Sequence, residues 1–189
     1  MREARSGAPE GGTAAPDAAA TSYDLGPMPL GRAMVTIDER LVGAPLHVIF
    51  DLARRVDEWP TLLSHYRHVR FRQRTDDGGG LVQMAADRPF GPLGWPTWWL
   101  SEMSVDAEAP SIRFRHVGGV TTGMDVEWTF REVGEATRVK IVHAWDGPEW
   151  PLVGILAATL VIGPVFVHGI AERTLAGLAR AAERRAHQP

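Results

Sequence analysis

The stretch GMDVEWTFREVGEATRVKIVHAW, Gly123 to Trp145, decides the fold. In its first half Met124, Val126, Trp128 and Phe130 alternate with Asp125, Glu127 and Arg131. A period of two puts the first set on one side of an extended chain and the second on the other. In its second half Val139, Ile141, His143 and Trp145 again share a side. Gly134 separates the halves at hairpin spacing, so the pair predicts two antiparallel strands with one apolar face. That face carries an imidazole, His143, among large apolar groups.

Working outward, the same alternation recurs in YRHVRFRQRT, in GLVQMAADR after Asp77-Gly78-Gly79-Gly80, in TWWLSEMSVDA and in SIRFRHV. Further upstream AMVTIDERLVG reads as a strand, and Ala44-Pro45 opens the helical segment LHVIFDLARRV. Proline suits a helix start because its missing N–H would have found no partner there. Asp57-Glu58-Trp59-Pro60 breaks that helix, and TLLSHY reads as a second short one. The chain closes on ERTLAGLARAAERRA, amphipathic with Leu175, Leu178 and Ala182 on one side. Its basic end is expected as a solvated helix terminus, where cations are favourable. The order is one strand, two short helices, six strands and a long helix. Strands clustered together with helices set apart argue the α+β class. Seven antiparallel strands covering one long apolar helix must curl around it, and the hollow between them is a natural ligand site.

The 189 residues suit a single domain, expected over 33–187. Residues 1–32, rich in Ala, Gly and Pro, are expected as a disordered tail, and they lack the apolar run of a signal peptide. A net charge of -3 argues against a nucleic-acid partner, and the absence of cysteine excludes disulfides and thiolate metal sites. His65 and His68 stand three residues apart without an evident third ligand, so no zinc site and no other cofactor is expected. Residues 151–171 are long enough to span a bilayer but are broken at Gly163-Pro164. A helix gripped by a sheet is the preferred reading, with a cytoplasmic location and a monomer or homodimer.

Several of these pieces resemble one family. APLHVIFDLARRVDEWPTLLSHY, with Trp-Pro after the first helix and Tyr66 seven residues past Trp59, is similar to the opening of the SRPBCC proteins, the START-type helix-grip superfamily. MDVEWTF, TRVKIVHAW and the closing AAERR agree, and the bacterial polyketide aromatase/cyclases look especially similar, over about residues 34 to 186. The resemblance implies a helix-grip fold with an internal cavity. It also implies cyclisation and dehydration of a poly-β-ketone, free or presented by an acyl carrier protein.

Alternation alone sends Met124, Val126, Trp128 and Phe130 inward, with Ile112, Phe114 and His116. Asp125, Glu127, Arg113 and Arg115 go to the solvated face. In TWWLSEMSV both Trp98/Leu100 and Trp99/Ser101/Met103 fit, and the resemblance favours the second set as cavity-facing. Aromatic walls suit a planar guest. The expected guest contacts are Trp59, Leu63, Trp99, Met103, His116, Met124, Trp128 and Ile141, with His168 at the closing helix and Arg88 of an Arg-Pro near the cavity mouth. A catalytic histidine in some aromatase/cyclases matches His143. Imidazole titrates near working pH, so it can take a proton and return it. Tyr66 and Ser101 are the candidate hydroxyl donors, and Thr174 stands where the family places the Asp that partners the histidine. Met103 replaces an Arg that binds substrate oxygens, leaving a more apolar pocket. Two functions therefore stay open: a cofactor-independent cyclase/dehydratase, and a non-catalytic carrier of a hydrophobic small molecule or lipid.

Overall fold

The computed structural model describes residues 22–90, 93–147 and 168–188, without the side chains of 88–90, 93–96 and 168. The expectations for the tail over 1–21 and for most of 151–171 lie outside the described residues. In chain order the elements are β1 (Met34–Val42), α1 (Leu46–Arg54), a 3-10 turn (Val56–Glu58), α2 (Trp59–Leu62), β2 (Tyr66–Arg74), β3 (Gly80–Phe90), β4 (Leu93–Asp106), β5 (Ser111–Gly119), β6 (Asp125–Val133), β7 (Ala136–Trp145) and α3 (His168–Ala186).

The hairpin that opened the reading forms β6 and β7, paired from Asp125↔Ala144 to Val133↔Ala136. Gly134 takes φ 63, and no residue other than glycine has positive φ among the described residues. A two-residue loop with only its first residue at positive φ is the type II′ pattern, whose twist matches the strands it joins. All seven strands form one antiparallel sheet in the order β1-β7-β6-β5-β4-β3-β2. The first strand thus crosses over to pair with the last, from Met34↔Trp145 to Val42↔Thr137. One face packs on α3, which buries Leu175, Leu178, Ala179 and Ala182. The architecture is the expected α+β helix-grip arrangement.

Two local details differ from expectation. The second helix starts earlier, at Trp59, because Pro60 sits in its first turn, where a missing N–H costs nothing. It ends at Leu62, and Leu63 is extended at φ -128 and ψ 99, so the helix stops well short of the end of TLLSHY, while Tyr66 opens β2 as the alternation of YRHVRFRQRT required. The outer face of β5 and β6 is also less solvated than the alternation suggested. Asp125 is 1% exposed there. Arg115 donates to Asp125 at 3.0 Å and to the Leu25 carbonyl at 2.8 Å, and Arg113 donates to the Gly26 carbonyl at 2.8 Å. Leu25 itself is buried, so residues near 25 cover a charge layer that a bare sheet would leave in water. A buried carboxylate survives only with such partners.

Candidate functional site

Between α3 and the inner face of the sheet lies a cavity of about 80 Å³. Trp59 and Tyr66 reach it from the α2–β2 junction, Trp99 from β4, Phe114 and His116 from β5, Val126 and Trp128 from β6, His143 from β7, and Thr174 from α3. Its rings touch in series. Trp59 lies 5.2 Å from Tyr66 and 5.8 Å from Trp128, and Tyr66 lies 6.2 Å from Trp99, which stacks on His116 at 6.0 Å. Edge and offset contacts at these separations add to simple area burial and hold the wall in one shape. The Trp59 indole N–H is satisfied by the Leu52 carbonyl at 3.2 Å, which fixes the ring at the α1–α2 junction.

Three polar features interrupt this apolar wall. His143 is 8% exposed, and its Nδ1 lies 3.4 Å from the Thr36 hydroxyl on the neighbouring strand. On β5, His116 Nδ1 lies 2.6 Å from the Thr121 hydroxyl, inside the β5–β6 turn. The third feature is a chain. His65 Nε2 lies 3.0 Å from Thr174 Oγ1, which donates to the Tyr66 hydroxyl at 3.4 Å. Burial pushes the Tyr66 hydroxyl above its ordinary pKa, with the Thr174 bond pulling the other way. Burial, aided by the positive charge of Arg173, holds the His65 imidazole below its ordinary value. Each imidazole therefore meets a neutral hydroxyl, a partner that can accept or donate according to the tautomer.

The structure brings together on one wall eight of the residues singled out from sequence: His143, Tyr66, Thr174, Trp59, Trp99, His116, Met124 and Trp128. Four others do not reach it. Ser101 faces inward but is 0% exposed, and its hydroxyl has no hydrogen-bond partner among the described residues. Its short side chain lies between Trp99 and Met103 on one strand, opposite His116 on the next, and these larger groups cover it. Met103 and Ile141 are core residues, the latter paired between Asp38 and Trp128. Leu63 turns onto α3, where Gly177 leaves it room: a Cβ there would come within 2.2 Å of Leu63 Cδ2. Arg88 stands in β3 and His168 begins α3, and both side chains lie outside the described residues.

Thr174 departs from its expected role too, because its hydroxyl serves His65 and Tyr66 while Thr36 lies against His143. Sequence reasoning missed Met84, Thr121 and Ile170 as cavity lining and His65 as part of the polar chain. Only Met84, on an alternating strand, had a signal that could have found it. No group of three or more metal-ligating side chains occurs among the described residues, and no helix among them is long and apolar enough to cross a membrane.

Comparison with known proteins bears on this geometry. A family model described as polyketide cyclase / dehydrase and lipid transport matches residues 42–163. A curated protein of Streptomyces halstedii with a provisional polyketide-cyclase name is 26% identical over 106 residues, which is 56% of this chain and 94% of that protein. Among solved structures, the Zhui aromatase/cyclase of a Streptomyces species superimposes with a TM-score of 0.65 at 17% identity, covering 80% of this chain and 94% of that one. A START superfamily protein from Mycobacterium smegmatis gives 0.58 at 17% identity, covering 82% and 97%. At such identities the structural likeness speaks for the fold alone.

Proposed function

The chain belongs to the polyketide cyclase / dehydrase and lipid transport family, and from that premise we propose that its cavity takes an aromatic or β-ketone-bearing guest whose ring closure and dehydration are served by His143. The observation that carries this reading is the placement of the His143 imidazole and the Tyr66 and Thr174 hydroxyls around one cavity, on a mainly aromatic and apolar wall whose other polar pair, His116 and Thr121, is hydrogen-bonded to itself.

In this reading His143 removes a proton from a methylene between two carbonyls. With Thr36 against Nδ1, the exchange falls to Nε2. The resulting enolate carbon attacks a second carbonyl of the same chain, forming the ring bond and leaving charge on that carbonyl oxygen. A proton from the Tyr66 hydroxyl neutralises it. In the dehydration the imidazolium returns its proton to the departing hydroxyl and, neutral again, takes the further proton that leaves the ring carbon and passes it to solvent. The Tyr66 oxide regains one from solvent, so one water is lost, both side chains are restored and no electrons change hands. General acid–base catalysis of this kind contributes about 10²–10⁴-fold, and a dry cavity that holds the reacting carbons together suppresses other closures.

The cavity volume of about 80 Å³ bears on the guest. Pockets that enclose a drug-sized molecule measure roughly 300 Å³ or more, so a folded polyketide needs the wall to draw back, whereas a single ring needs little movement. A second reading, a carrier of an apolar molecule, is favoured by Met84, Phe114, Met124 and Val126 on the wall and by the exclusion of Ser101 from it.

A panel of poly-β-ketone thioesters, free and loaded on an acyl carrier protein, separates the two. Products one water lighter, formed only with protein present, support the cyclase. Tight binding of aromatic or acyl guests with no product at any chain length supports the carrier.

A further inference from the structure

Tyr66 and Thr174 face the inner cavity, whereas His65 faces away from it. Together with Leu63, Ser64, Arg173, Gly177 and Arg180, His65 lines a separate cleft of about 280 Å³ between the α2–β2 junction and α3. The three side chains thus connect two spaces that share few other groups. Thr174 is 1% exposed and sits at the centre of the connection, 3.0 Å from His65 Nε2 and 3.4 Å from the Tyr66 hydroxyl.

The direction of the bonds matters. Thr174 donates its hydroxyl proton to Tyr66, so its oxygen is left to accept from His65 Nε2–H. Tyr66 O–H then has no acceptor among the described residues and is left to point at whatever fills the cavity. Every donor in the chain is aligned the same way, from cleft to cavity.

We infer that His65, Thr174 and Tyr66 form a proton path that reloads the cavity from the outer cleft. A guest oxygen takes the Tyr66 proton. Tyr66 takes the Thr174 proton, and Thr174 takes the Nε2 proton of His65. The imidazole gives up that proton only as it gains another at Nδ1 from water in the cleft, and the net change is one proton moved inward with no redox step. An imidazole suits the outer end because it can lose a proton at one nitrogen while gaining one at the other. Its depressed proton affinity, set first by burial and then by Arg173, keeps the ring neutral at rest and favours release at Nε2 once Nδ1 has gained a proton. Arg180, also of α3, borders the same cleft, and the His65 carbonyl is held by the Asp87 amide at 2.8 Å, which fixes the backbone that carries the ring.

His65 is a positioning and supply residue here, since it touches no guest. Its use in turnover rests on the cyclase reading, but the path itself is testable without substrate. The chain has two tyrosines, Tyr23 and Tyr66, so the hydroxyl exchange of Tyr66 can be followed by the deuterium isotope shift on its ring carbon in mixed H₂O and D₂O. In His65→Gln, which keeps a donor toward Thr174 but cannot relay a proton, that exchange should slow at least tenfold with an unchanged melting temperature. Thr174→Val, of similar shape, should slow it as much. In His65→Ala, free imidazole added to the cleft should restore the rate. Wild-type exchange in both His65→Gln and Thr174→Val would overturn the path. If the wild type turns over a poly-β-ketone, His65→Gln should lower kcat with little change in KM. If the wild type turns over nothing, the cyclase reading falls, and the exchange rates still decide the path.

Discussion

The two faces of β5 and β6 handle polar groups in opposite ways. Outside, Arg115 meets Asp125 at 3.0 Å and Arg113 lies 3.7 Å from Glu127, so charge is matched with charge. Inside, on the same strands, Phe114, Val126 and Trp128 line the cavity with His116, which meets the hydroxyl of Thr121. His143 and His65 likewise lie against Thr36 and Thr174. An opposite charge pins one protonation state, whereas a neutral hydroxyl follows the imidazole through either. The outer face holds its groups in one charge state, and the inner face offers its imidazoles a neutral partner in either.

Breaking the inner face should cost most. Trp128→Ala removes a ring that packs on Trp59 at 5.8 Å and Phe130 at 6.5 Å, and about 3–5 kcal/mol should be lost in urea unfolding. On the outer face Asp125→Ala leaves Arg113, whose Nε and one terminal nitrogen are already buried without a hydrogen bond among the described residues, with only the Glu127 carboxylate at 3.7 Å to face it. Arg115 is part-exposed and can turn to water, so the same assay should show a loss of about 2 kcal/mol.

A smaller effect follows acid. The folded-state proton affinity of His65 is below its ordinary value, so the unfolded chain binds the proton more readily. Stability should therefore fall as pH drops through about 6.5, and urea midpoints for His65→Gln should lack that part of the decline. The smallest expected effect is at the rim. Arg138 and Glu39 lie 3.2 Å apart but are half exposed, and Arg138→Ala should cost about 0.5 kcal/mol or less, vanishing in high salt.

The strands were legible because alternation is a local signal: Met124 to Phe130 and Val139 to Trp145 face inward as their spacing requires. So was the inward turn of His116 and His143. Packing depth was not. Trp99, Ser101 and Met103 share a face, yet only Trp99 meets the cavity, because which inward residue is wall and which is filling depends on the opposing layer. Asp125 alternates outward as expected, and its burial comes from its cross-strand neighbour Arg115 together with Leu25, which is distant in sequence. The link from His65 to Thr174 crosses 109 positions, and no spacing rule reaches that far.

The central claim is that the imidazole of His143 moves protons for a guest in the inner cavity. The most direct measurement is the kcat of His143→Gln against wild type on a poly-β-ketone that the wild type closes, with guest affinity measured in parallel. The account predicts a fall of about 10²-fold or more in kcat with affinity nearly unchanged. Ring closure at the wild-type rate in His143→Gln would contradict it.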